Sequence, residues 1–200
     1  MEQIKQGLVV EHVSKTFYSS NGYFTAVEDV SFSLKDGEFL VLLGPGRCGK
    51  TVLLNMIAGI ETRSGGTILY NGKEKDGADE DFGMVFQSLA LMPFKTVMEN
   101  VELPLKLRGV AKEERRKTAQ HYINLVGLQG FERSYPHELS GGMKQRVGIA
   151  RAYTANPKVL IMDEPSTALT ETEIEDLFTF IRRLKATGVG IIYISHRMNE

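Results

Sequence analysis

The rhythm of apolar and polar positions changes several times along the chain, and each rhythm predicts a different element. Near the start, LVVEHVSKTF and TAVEDVSFSL alternate apolar with polar residues, the pattern of antiparallel strands with one face inward. Glu38–Leu43 (EFLVLL), Val159–Met162 (VLIM) and Val189–Ser195 (VGIIYIS) are continuously apolar, as expected of strands buried on both faces of a parallel sheet. Between the second and third of these runs a helix is marked at both ends. Thr170 can cap it, with Glu173 completing a capping box. Ile174, Leu177, Phe178, Ile181 and Leu184 form its apolar face, and Lys185 and Gly188 suit its end. Strand, helix, strand in this order is a parallel crossover unit, so the core is α/β.

The middle of the chain reads differently. A Pro-containing turn (LMPF) leads to a charged amphipathic helix, KEERRKTAQHYINLVGL, with Ala119, Tyr122, Ile123 and Val126 on one face. The basic cluster Lys112–Lys117 reads as a solvated helix face rather than a nucleic-acid contact. The expected organisation is an α/β core with an antiparallel β subdomain, made of residues 1–87 and 157–200, into which residues 88–156 are inserted as a helical subdomain.

Composition adds bounds. The 200 residues carry 42% hydrophobic and 24% charged side chains and a net charge of -1, ordinary for a globular protein and unlike a general nucleic-acid binder. The one cysteine, Cys48, excludes an intrachain disulfide, which fits a reducing compartment. No apolar run approaches the roughly 18 to 20 residues needed to span a bilayer, and MEQIKQGLVV lacks the features of a secretory signal. The expectation is a cytoplasmic protein whose link to a membrane comes through a partner.

The chemistry is concentrated at the strand ends. Gly44-Pro-Gly-Arg-Cys-Gly-Lys-Thr51 matches G-x-x-x-x-G-K-[ST] and lies after a buried strand and before the apolar helix TVLLNMIAGI. Glycines let backbone amides turn inward around phosphates, and the following helix adds its positive end. Lys50 can reach the β- and γ-phosphates, and the Thr51 hydroxyl can coordinate magnesium. Gly44, Gly46 and Gly49 also spell G-x-G-x-x-G, the dinucleotide fingerprint. A dinucleotide site has no use for Lys50 followed by Thr51, and no acidic residue ends a second strand about 20 residues on.

Asp163 and Glu164 end another buried strand. Asp163 is suited to hold magnesium and Glu164 to polarise an attacking water, and the bland alternative is an acidic turn. His196 follows the third strand. Ligands of open α/β sheets bind at the carboxyl edge, so these groups should converge. Leu139-Ser-Gly-Gly-Met143 precedes another helix and makes a second anion site. One chain needs one phosphate cradle per nucleotide, which suggests that the second serves a nucleotide on another copy.

With these elements in order, the chain resembles the nucleotide-binding subunit of ABC transporters along almost its whole length. Gly44–Thr51 looks like the Walker A motif, Val159–Glu164 like Walker B, and Leu139–Met143 like the LSGGQ signature, with Met143 in place of Gln. Gln87, in MVFQS, matches the Q-loop glutamine that contacts magnesium and faces the membrane subunit. Phe17 falls where the family places an aromatic under adenine, with Tyr18 as a fallback and a core aromatic as the plain alternative. Residues 86–165 are most like importers of the nitrate, sulfonate and taurine type, and the tail from Ser166 is similar to ATPases of monosaccharide importers.

The resemblance implies ATP and Mg2+ as ligands and a head-to-tail dimer closing over two ATP molecules. Gly44, Pro45, Gly46, Arg47, Cys48, Gly49, Lys50, Thr51 and Val52 would bind ATP, with Thr51, Gln87 and Asp163 on the metal. Glu164, His196 and Gln87 would act in hydrolysis, and Ser140, Gly141, Gly142 and Met143 would complete the partner's site. Transmembrane permease subunits, and indirectly a solute-binding protein, are the implied partners, placing the chain on the inner face of the cell membrane. Four departures stand out: Arg47 where many relatives have Gly, Met143 in the signature, Thr170 where a loop usually ends in Asp, and an end four residues after His196 where family members usually continue. The alternatives are a non-transport ATPase of the same superfamily, an ATP-binding module with hydrolysis impaired by the shortened end, and, more distantly, a kinase-like phosphate-loop enzyme.

Overall fold

The structure, a computed structural model, describes residues 7–20, 22–166 and 169–195. In chain order it begins with β1 (Leu8–Ser19), β2 (Gly22–Leu34), β3 (Phe39–Leu43) and α1 (Lys50–Ala58). The next strands are β4 (Gly65–Tyr70), β5 (Lys73–Glu74) and β6 (Phe82–Val85). Four helices follow: α2 (Val97–Val101), α3 (Leu103–Leu107), α4 (Lys112–Leu125) and α5 (Gly141–Thr154). The described chain ends with β7 (Val159–Asp163), α6 (Glu171–Ala186) and β8 (Gly190–Ser195).

The two strand rhythms build two sheets. The alternating strands pair antiparallel in the order β2-β1-β4-β5. The continuously apolar strands join β6 in a parallel sheet of order β3-β8-β7-β6. A strand's side chains point alternately to its two faces. Val159, Ile161, Ile192 and Ile194 therefore pack with α1 and the antiparallel sheet. Leu160, Met162, Ile191 and Tyr193 pack on the other face, against buried residues of α5 and α6 and, beyond them, Val97, Val101, Ala119 and Ile123. The antiparallel and helical layers thus sandwich the parallel sheet, which is the expected α/β architecture.

One expectation of burial is corrected. Strands β7 and β8 are buried throughout. Strand β3 is not: Val41 is 41% and Leu43 61% exposed. The reason is topological. Strand β3 lies at one edge of the sheet, and its even-numbered residues Leu40 and Leu42 face the packed side while Val41 and Leu43 point away from it. The helix after β7 matches its reading closely, since Thr170 caps α6 in a capping box with Glu173. The basic cluster on α4 is largely solvated, but Arg115 turns inward to pair with buried Glu102 at 3.1 Å. Among the described residues, no helix is long and apolar enough to cross a membrane.

Candidate functional site

The carboxyl ends of the parallel strands carry the chemistry. The chain leaves β3 through Gly44–Gly49 and enters α1 at Lys50. Gly49 caps α1 with a left-handed φ of 91°, and a Cβ there would overlap the Ala26 carbonyl of β2, so only glycine fits. The other left-handed position in the loop is Arg47, at φ 65°. The extra glycine of the sequence, Gly46, sits one residue away from the place where its freedom is needed. The Lys50 ammonium lies inside the loop, donating to the carbonyls of Gly44 at 2.7 Å and Pro45 at 2.8 Å, with Cys48 Sγ at 3.5 Å.

The loop is joined to the acidic pair across the sheet. Thr51 Oγ1 donates to Asp163 Oδ1 at 3.3 Å. Asp163 is buried, and this pushes its carboxyl above the usual range; the Thr51 hydrogen bond opposes the shift, the Glu164 charge adds to it and Lys50 counters it. Glu164 follows at φ 47°, an uncommon conformation for a side chain with a Cβ and one that clusters at working sites. Its Oε2 accepts a hydrogen bond of 2.9 Å from Gln87 Nε2. Gln87 lies just past the end of β6, a strand that the apolar pattern does not reveal. Residues from β3, β6 and β7 are therefore brought to one edge. His196 lies outside the described residues.

The resemblance implies an aromatic under adenine at Phe17. The structure adds Phe24. A cavity of about 190 Å³ at the loop is lined by Phe24, Ala26, Arg47, Cys48, Gly49, Lys50, Thr51, Val52 and Glu164. Phe17 is the cross-strand partner of Phe24, is 39% exposed, and has the Lys15 ammonium 4.9 Å from its ring centre. Phe24 is 65% exposed beside the loop, and Tyr18 is exposed on the following position of β1. The signal for Phe24 is the hairpin register, which the sequence does not state. Arg151 is a second residue the motifs pass over. Its guanidinium donates to the carbonyls of Leu89 at 2.9 Å and Ala90 at 2.7 Å, both left-handed residues, and so pins the loop that follows Gln87.

The segment expected to form a second cradle, Ser140–Met143, lies at the start of α5. Ser140 caps the helix, accepting the Met143 amide at 3.1 Å. Ser140 and Gly141 are exposed, whereas Gly142 is buried and Met143 half-buried.

This constellation has known counterparts. Residues 27–167 match the family described as ABC transporter. The chain belongs to the ABC transporter family. Among its ABC relatives, the taurine import ATP-binding protein TauB of Roseobacter denitrificans is 42% identical over 196 residues, covering 97% of this chain and 73% of that protein. The nitrate import ATP-binding protein NrtD of a Synechocystis strain is 41% identical over 197 residues, covering 96% and 73%. A solved ABC cassette, the dimeric post-hydrolysis state of MJ0796 bound to ADP and Pi, superposes with a TM-score of 0.88 at 31% identity, covering 96% of this chain and 89% of that one. The likeness to nitrate- and taurine-type importers drawn from the motifs is borne out by these ABC relatives, and so is the fold.

Proposed function

We propose that this chain is the ATP-binding and ATP-hydrolysing subunit that energises an ABC importer. The observation that carries the reading is the Thr51–Asp163 hydrogen bond, which sets the end of the phosphate loop against the acidic pair. Relatives named for taurine and nitrate import, and a dimeric cassette bound to ADP and Pi, support it.

Each group then has a task. The loop amides from Gly44 to Val52 wrap the phosphates, and Lys50 exchanges its bonds to the Gly44 and Pro45 carbonyls for phosphate oxygens. The Thr51 hydroxyl, the Asp163 carboxylate and the Gln87 amide are hard oxygen donors, a set that suits magnesium. Bound with ATP, that ion would neutralise phosphate charge as the terminal bond breaks. Glu164 accepts the proton of the attacking water, and Gln87 holds the carboxylate in place. His196 stabilises the γ-phosphate. Phe17 and Phe24 flank the base. A second copy, packed head to tail, supplies Ser140, Gly141, Gly142 and Met143 to complete the cage.

The transmembrane partner has a matching surface. Beside the Gln87 loop lies an open apolar groove of about 550 Å³, lined in part by Phe86, Met92, Leu103, Pro104 and Leu107. Gln87 faces the membrane subunit in the resemblance, so this groove suits a permease segment. The chain would then sit on the inner face of the membrane, coupled through the permease to a solute-binding protein.

Phosphate release tests the reading. Glu164→Gln is expected to bind Mg-ATP with turnover lowered about 10²- to 10⁴-fold, the range for loss of a general base. Lys50→Ala is expected to lose binding heat in a calorimetric titration. Near-normal turnover in Glu164→Gln, or unaltered binding in Lys50→Ala, would refute it.

A further inference from the structure

Gln145 lies one turn into α5 and is 3% exposed. Burying a primary amide costs stability unless its hydrogen bonds are made. Among the described residues, Gln145 Nε2 is the one buried side-chain nitrogen or oxygen without a partner. Its neighbours Val147, Ile149 and Ala150 are buried and apolar, and an apolar side chain would carry no such cost at position 145.

The amide borders a space. Gln145 lines a cavity of about 260 Å³ between the end of α4 and the sides of α5 and α6. The last two helices run alongside each other, with Tyr153 of α5 edge-on to Phe180 of α6 at 6.5 Å between ring centres. Leu125, Val126, Ile149, Leu177 and Phe180 supply apolar walls, and the exposed Thr179 and Arg183 bring the cavity to solvent.

Three described side chains with charge border it: Arg146, Arg183 and Glu173. The Glu173 carboxylate is taken up at the start of α6. It accepts from the Thr170 amide and hydroxyl at 3.0 Å each, and a Cβ on Gly142 would overlap it. Arg183 stands in the last turn of α6, about 15 Å along the axis from Glu173 at 1.5 Å per residue. Arg146 Nη1 donates to the Val126 carbonyl at 3.4 Å, which keeps its guanidinium at the cavity wall. Away from the α6 cap the cavity is therefore apolar in its walls and positive in its charge.

We infer that this cavity is a binding site for a small organic anion with an apolar body, of the class of short-chain carboxylates. The terminal torsion of a glutamine turns over a broad range, so the Gln145 amide can present its donor to a carboxylate oxygen. Arg146 and Arg183 favour the negative charge, and hydrocarbon fills the space beside Ile149, Leu177 and Phe180. The volume lies just under the usual range of about 300–1,000 Å³ for ligand pockets, so the occupant is small. No residue of the phosphate loop or the acidic pair lines this cavity, and the inference stands apart from the proposed function.

The test is thermal unfolding of the full chain with sodium hexanoate as the probe. Hexanoate at roughly ten times its Kd is expected to raise Tm by about 3–6 °C. Sodium acetate, which lacks the tail, and hexylammonium, which has the wrong charge, leave Tm unchanged, and hexan-1-ol gives a smaller rise. The hexanoate shift persists in Lys50→Ala, which removes the cation of the phosphate loop. Gln145→Met keeps the volume and removes the unpartnered donor, so without ligand it melts no lower than the wild type, and it loses the shift. Arg183→Glu changes an exposed position, keeps the fold and loses the preference for hexanoate over hexan-1-ol. No shift in the wild type, an equal shift with hexan-1-ol, or loss of the shift in Lys50→Ala would overturn the inference. So would a full shift in Gln145→Met, a ligand-free Gln145→Met that melts lower than the wild type, or an unaltered preference in Arg183→Glu.

Discussion

Three side chains of the candidate phosphate site are kept in uncommon arrangements. Arg47 and Glu164 adopt left-handed φ angles, and Asp163 is buried with its carboxyl pushed up. A left-handed residue with a Cβ costs about 1–2 kcal/mol, and a glycine in its place gives back about 0.5–1 kcal/mol through its freer unfolded chain. Arg47→Gly is therefore expected to stabilise the protein by roughly 0.5–1 kcal/mol, seen as a higher Tm without nucleotide. For Asp163 the folded pKa lies above the unfolded one. The folded protein then holds the proton more tightly, and stability falls as pH rises from the unfolded value through the folded one, with the loss complete above it. Asp163→Asn should flatten that decline and melt no lower than wild type at neutral pH without nucleotide, yet gain no stability from Mg-ATP. A lower Tm at neutral pH would show that the Thr51 hydrogen bond outweighs burial.

At the scale of elements, position in the sheet decides what a strand residue is worth. Leu160 in β7 is fully buried, so Leu160→Ala should cost about 2–5 kcal/mol in denaturant unfolding. Val41 on the edge strand β3 is 41% exposed, and Val41→Thr should stay within about 0.5 kcal/mol. The apolar runs of β3, β7 and β8 look alike in sequence, because hydrophobicity reports that a strand belongs to the parallel sheet and says nothing of its neighbours. Strand order comes from long-range pairing, and so the exposure of Val41 and Leu43 was hidden. The phosphate loop, the acidic pair and the capping box of Thr170 and Glu173 were legible because each is a local pattern with local chemistry. Phe24 beside the loop, Arg151 on the Leu89 and Ala90 carbonyls, and Glu173 against Gly142 were not. Each depends on a contact between segments far apart in the chain.

For the whole molecule, the proposed function assigns the two candidate cradles to nucleotides of different copies. Glu164→Gln with Mg-ATP is expected to sediment as a dimer and Lys50→Ala as a monomer, because only a nucleotide held by the loop can bridge to the second cradle. Dimerisation of Lys50→Ala to the same extent would refute this. The packing below the cradles has its own consequence. Val97, Val101, Ala119, Ile123 and Val147 share one core with Leu160, Met162 and Tyr193 of the sheet. Cutting out residues 88–156 and closing the gap with a flexible linker would leave no tidy miniature ATPase. It would strip one face of the sheet of α5, leaving only α6 over it, and the remnant would be expected to aggregate, while the excised piece, deprived of its floor, would fail to fold alone.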